Sequence, residues 1–167
     1  APLEAEIILE GYHAPWFVPR TSNPDTGRFF KPLPTGTYTI RVRKKGYWDA
    51  VVPNQMVYNS SWTQVQIALE PRQPASLSGK VHSGGLDIEA NIVIGDAFPD
   101  TLAVNGNFIH NGFEGEYPLR VWAEGYFPWL GTVKLNPGEN SISLDLGPAT
   151  EVFSEDWESG TDGWTIA

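Results

Sequence analysis

Cysteine is absent from the 167 residues, which excludes disulfides, thiolate catalysis and zinc sites built on cysteine. No apolar run approaches the ~18–20 residues that a bilayer-spanning helix needs. No basic-then-apolar leader opens the sequence, so any export signal is expected to have been removed or to lie upstream. Helical periodicity is also missing: no window sustains apolar residues at i, i+3, i+4 and i+7 before a proline or glycine interrupts it. Positive charge is scarce. Eleven Lys and Arg stand against twenty Asp and Glu, a net charge of −9. Without a Lys/Arg stripe the chain is a poor partner for nucleic acid, whose phosphates must be neutralised by cations.

What remains is rich in turns and aromatics. Fourteen prolines and seventeen glycines are spread along the chain, and 41% of residues are hydrophobic. Short strands joined by tight turns fit that distribution, so the chain reads as all-β. It also repeats itself. TGRFFKPLPTGTYTIRVRKKGY (26–47) aligns without a gap on NGNFIHNGFEGEYPLRVWAEGY (105–126), at a constant offset of 79 residues (105 − 26). Eight of the 22 positions are identical: Gly27/Gly106, Phe29/Phe108, Gly36/Gly115, Tyr38/Tyr117, Arg41/Arg120, Val42/Val121, Gly46/Gly125 and Tyr47/Tyr126. EAEIILEG (4–11) matches EANIVIG (89–95) upstream, and VQIALEP (65–71) corresponds to ISLDLGP (142–148) downstream.

Period-two alternation then gives strands. In TYTIRVR, Tyr38, Ile40 and Val42 share one face while Thr37, Thr39, Arg41 and Arg43 share the other. The second copy turns Tyr117, Leu119 and Val121 inward and Pro118, Arg120 and Trp122 outward. Gly36 and Gly115 mark the turn into this strand, Gly46 and Gly125 the turn out of it. Further strands are expected at 4–10, 28–31, 48–57 and 63–69, and at 75–82, 88–94, 107–110, 127–134 and 140–146. The expected architecture is two tandem antiparallel β-sandwiches, 1–71 and 72–148, followed by an extended tail or the start of another extracellular β-domain at 149–167.

The run LPTGTYTIRVRKKGY (33–47), with APLEAEIILEG (1–11) and NPDTGRFFKP (23–32), resembles the carboxypeptidase regulatory-like domain. That resemblance implies a seven-stranded, transthyretin-like sandwich of the kind found behind the catalytic domain of secreted zinc carboxypeptidases. It covers 75–147 more weakly, because Phe113-Glu114 stands where Leu-Pro is expected. Gly36, Tyr38, Gly46 and Tyr47, with Gly115, Tyr117, Gly125 and Tyr126, are the residues that define the frame. The second module opens with SLSGKVHSG (76–84) as its first strand, whereas the first begins at its second strand. Ala1 is therefore expected to mark a cut within a domain, and the chain to be a slice of a longer secreted or cell-surface bacterial protein.

Catalytic spacings are missing. None of His13, His82 and His110 has Glu three residues on or His four residues on, so no zinc-peptidase ligand set is formed and the three read as turn or edge histidines. No enzyme activity and no cofactor is expected from this chain; a carboxypeptidase parent would hold its zinc elsewhere. Asp96/Asp100, Glu114/Glu116 and the tail cluster Glu155, Asp156 and Glu158 are carboxylate groups, the last being the candidate for calcium, which takes several oxygen ligands. Seven tryptophans are many for this length. Most read as core or junction residues, Trp48 and Trp129 among them, and outward-facing Trp122 is the candidate for stacking on a sugar.

Three functions stay open on these residues. The first is a non-catalytic accessory segment, a spacer, stabilising or attachment module acting beside its parent's neighbouring domains. The second is a fibre subunit, in which the tail of one copy fills the vacant strand position of the next. The third is a module that binds polysaccharide. The basic run Arg43, Lys44 and Lys45 becomes Trp122, Ala123 and Glu124 in the second copy, so it reads as a solvated edge and not a shared site. Arg41, which recurs as Arg120, is expected to form a cross-strand ion pair.

Overall fold

The computed structural model describes residues 1–11, 18–59, 61–95 and 97–149. All regular structure among them is β, in antiparallel sheets. The chain divides into two units. One comprises Ala1–Ala75 with the short segment Gly112–Gly115, the other Ser76–Asn111 with the described residues from Glu116 onward.

The first unit holds β1 (Glu6–Glu10), β2 (Arg20–Thr21), β3 (Gly36–Arg43) and β4 (Ala50–Val57), in the order β2-β1-β3-β4. β1 and β3 pair from Glu6↔Arg43 to Glu10↔Thr39, which puts Ile7 and Leu9 on the same face as Ile40 and Val42. These four, with Ala5 and Tyr38, form the buried cluster. The alternation read from TYTIRVR is thus the alternation of burial in β3. β4 pairs with β3 through a bulge between Tyr38 and Ile40, where Asn54 takes a φ of 57°. Asn tolerates that left-handed conformation better than most residues. Pro53 beside it has no N–H to offer, so this edge is poorly suited to recruit another strand.

The second unit holds all or most of β5 (Pro74–Ser83), β6 (Leu86–Asp87), β7 (Glu89–Ile94), β8 (Asp100–Asn105), β9 (Asn107–Phe113), β10 (Gly115–Trp122), β11 (Trp129–Leu135) and β12 (Gly138–Asp145). Their order is β11-β10-β7-β8-β9-β5-β12, with β6 paired to β5. Leu77 and Val81 of β5 are fully buried, as are Ile92 of β7 and Leu119 and Val121 of β10. Burial so complete on strands far apart in the order requires the sheet to fold over on itself.

The repeat holds at the level of topology. β2-β1-β3-β4 in the first unit matches β8-β7-β10-β11 in the second, and adding 79 to the bounds of β3 (36 and 43) gives those of β10 (115 and 122). The Gly-Tyr pairs close both units alike. Tyr47 bridges to Pro71 and Tyr126 to Pro148. The amide of Arg72 donates to the Gly46 carbonyl, and that of Ala149 to the Gly125 carbonyl, both at 2.9 Å. Gly46 and Gly125 sit at φ 85° and 78°, where a Cβ is strained. Gly36, by contrast, is not in the left-handed region; a Cβ there would meet the Tyr38 ring at 3.4 Å.

Two expected strands do not form. Neither 28–31 nor 63–69 belongs to a ladder, and Ser61–Glu70 contains no strand. Their side chains nonetheless alternate: Val65, Ile67 and Leu69 are half-buried between exposed neighbours, and Phe29 and Leu33 pack against the buried cluster. The second unit supplies the reason. The counterparts of these segments, β9 and β12, both pair with β5, which lies between them, and no described residue occupies that position in the first unit. Alternation fixes which side chains turn inward, but a strand also needs a neighbour for its amides and carbonyls. The histidines differ from expectation too. His82 lies in β5 and His110 in β9, and His110 is buried because it falls at an inward position of its strand.

Among the described residues, the seven most deeply buried large side chains all belong to the second unit: Leu77, Val81, Ile92, Leu119, Val121, Leu135 and Leu146. Ile92→Ala should therefore destabilise its unit by about 3 kcal/mol, within the usual range for buried Ile truncation. Ile67→Ala, half-buried beside open space, should cost about 1 kcal/mol or less. Urea denaturation followed by hydrogen exchange in each unit checks the contrast.

Candidate functional site

The basic stretch of the first unit is a lattice of ion pairs. Arg43 faces Glu6 directly across the β1–β3 ladder, and its Nη2 lies 2.9 Å from the Glu6 carboxylate. Arg41 reaches diagonally to Glu10 and, through Nη1 at 3.2 Å, to Asp49. The hydrogen bonds to Glu10, then those to Asp49, raise the Arg41 pKa above its ordinary value. Lys44 donates to the Glu4 carbonyl at 2.7 Å. These cations are spoken for by their own unit, which makes the stretch a poor anion site.

The aromatic candidates fall in different places. Trp122 closes β10 opposite Asn91 and is 43% exposed, as its outward position in the alternation requires. Trp48 carries the Arg72 guanidinium 4.3 Å from its ring centroid, a cation–π stack. Trp129 is half-buried and lies over Gly131, where a Cβ would come within 2.4 Å of its ring. Trp62 is 81% exposed, with its ring 5.2 Å from that of Phe30. The calcium candidates Glu155, Asp156 and Glu158 lie outside the described residues, as do His13, Trp16 and Asp96. Among the described residues no three metal-ligating side chains converge.

One polar constellation was not legible in the sequence. His82 Nε2 lies 3.0 Å from Ser143 Oγ, and its Nδ1 lies 3.4 Å from Asp145 Oδ1. The order Ser–His–Asp is that of a nucleophile, base and orienting carboxylate. Sixty-one residues separate His82 from Ser143, so only the β5–β12 pairing reveals it. The surroundings are unlike a catalytic site. Ser143 and Asp145 stand on an exposed face, and Asp145 Oδ1 also accepts the Gly84 amide at 3.1 Å.

A long concavity belongs to the first unit. A groove of about 1620 Å³ runs between the face of β1 and β3 and the segments 28–33 and 61–69. Its floor is the buried cluster, including Ile7, Leu9 and Ile40, and its walls include Phe29, Val65 and Ile67. Pockets for small molecules usually measure roughly 300–1,000 Å³ and enclose their ligand with a few convergent polar groups. This one is larger and open, and its lining mixes polar residues such as Gln55, Asn59 and Gln66 with the apolar ones. Compared with models of known protein families and with curated proteins, the chain matches none.

Replacing Arg41 by Gln should cost about 0.5–1 kcal/mol, the range for two partly exposed ion pairs. The loss should shrink in molar salt, where the Debye length falls to about 3 Å. Denaturation of both forms at low and high ionic strength measures it.

Proposed function

We propose that the chain is a non-catalytic accessory segment of a secreted exoprotein of the zinc carboxypeptidase type. Its tandem carboxypeptidase regulatory-like units act as spacer, stabilising or attachment modules for neighbouring domains. The observation that supports this reading is what the two copies share. The strand order, the position of β3 and β10, and the Gly-Tyr closures at Pro71 and Pro148 are duplicated. The basic run Arg43, Lys44 and Lys45 and the His82–Ser143–Asp145 constellation are each confined to one copy. Duplication has kept the frame and let the chemistry-bearing side chains diverge, as a structural role permits.

The test is enzymatic. The chain, with and without added zinc, is assayed on C-terminal peptide substrates and activated esters. Rates should equal buffer and be the same for Ser143→Ala. Turnover abolished by that substitution would make β5 and β12 the site of a serine hydrolase and end the accessory reading.

A second reading, polysaccharide binding, is favoured by the exposure of Trp122 on the outward face of β10. Stacking on an exposed indole would make binding to insoluble polysaccharide fall at least tenfold in Trp122→Ala. The accessory reading expects pull-down at background level for both proteins.

A further inference from the structure

The two copies treat one arginine in opposite ways. In the first unit Arg41 is held by Glu10 and Asp49, and Arg43 by Glu6. Register identifies the equivalents in the second. Leu9 pairs with Ile40 as Ile94 pairs with Leu119, so Gly95 stands at the place of Glu10 and Asn91 at that of Glu6. β4 begins at Ala50 and β11 at Trp129, which keeps the offset of 79 (129 − 50) and puts Pro128 at the place of Asp49. All three carboxylates are therefore gone. Arg43 has become Trp122, and only Arg120 retains its charge. The ion pair expected for Arg120 does not form: among the described residues its guanidinium has no hydrogen bond, ion pair or ring contact.

What this loss leaves is a flat face carrying one aromatic ring and one cation. Side chains two places apart on a strand share a face at a spacing of about 6.8 Å, which sets Arg120 beside Trp122 on the exposed side of β10. Across the ladders Trp122 faces Asn91, which faces Ala103; Arg120 faces Val93, which faces Thr101. The four residues of β7 and β8 are short, so the indole stands clear for a ring to lie against it. The C–H face of a sugar ring is apolar and matches a flat indole. The Asn91 amide offers a donor and an acceptor to hydroxyls. A guanidinium without a partner takes a carboxylate through two parallel hydrogen bonds. The outward carboxylates of these strands, Glu89 and Glu116, are each four positions from the Arg120–Val93 pair (93 − 89 and 120 − 116). That is about 13 Å along the strand, beyond the Debye length of about 8 Å at physiological salt.

We propose that the outward face of β10, β7 and β8 binds an acidic polysaccharide. Trp122 stacks on a sugar ring, Asn91 meets its hydroxyls, and Arg120 takes the carboxylate of a uronic acid unit. This rests on the polysaccharide reading of Trp122 and adds to it the charge of the ligand and the residues that read it. The net charge of −9 opposes an acidic partner at long range, so binding is expected at physiological salt, where that repulsion is screened and the Arg120 contact remains.

The intact chain is titrated at about 0.15 M salt with polygalacturonate and alginate, and with the methyl ester of each. At least one acid form should bind tenfold or more tightly than its own ester. Arg120→Gln should bring the acid form down to the level of the ester and leave the ester unchanged, whereas Trp122→Ala should weaken both. Arg41→Gln removes the same charge from the first unit and should alter neither. Equal binding of acid and ester, lost in Trp122→Ala but kept in Arg120→Gln, would overturn this inference and leave the polysaccharide reading standing. No binding of any of the four polymers would remove both. A loss as large in Arg41→Gln would trace the effect to net charge and overturn the site.

Discussion

β5 donates and accepts along both of its edges, and on that double pairing rests the difference between the two halves of this chain. With β5 in place, β9 and β12 are strands, Phe108 closes over Gly79, and the inward side chains Leu77, Val81, Ile92, Leu119 and Val121 are fully buried. Where no described residue takes that position, homologous segments keep their inward alternation but gain no ladder. The hydrophobic effect alone collapses these segments onto the floor; it does not order their backbones.

Much of the frame was legible in the residues. The inward faces of β3 and β10 follow from period two, and the gapless offset between the copies anticipates the shared strand order. Expectation failed at 28–31 and 63–69 because side-chain periodicity carries no information about a partner for the main chain. It failed again at His82, Ser143 and Asp145, whose proximity depends on the β5–β12 pairing and leaves no local signature. The direct pairing of Arg43 with Glu6 is of the same kind. Sequence singled out Arg41 because it recurs, whereas register decides which carboxylate stands opposite which cation.

Charge in the first unit stabilises locally and says little about partners. Arg41 is shared between Glu10 and Asp49, and Arg43 faces Glu6, so the positive stretch is balanced within its own sheet. The accessory reading gains from this economy, since a cationic docking site would leave its charges uncommitted. The aromatic residues behave similarly. Trp48 lies against Arg72 and Trp129 over Gly131, and Trp122 keeps its indole in solvent.

The unladdered stretch Ser61–Glu70 bears on how long the molecule survives. An exposed, extended backbone without ladder bonds is the form in which proteolytic enzymes engage a chain, and nicking concentrates where such segments reach solvent. Cleavage there would cut away one wall of the first unit and leave the second intact.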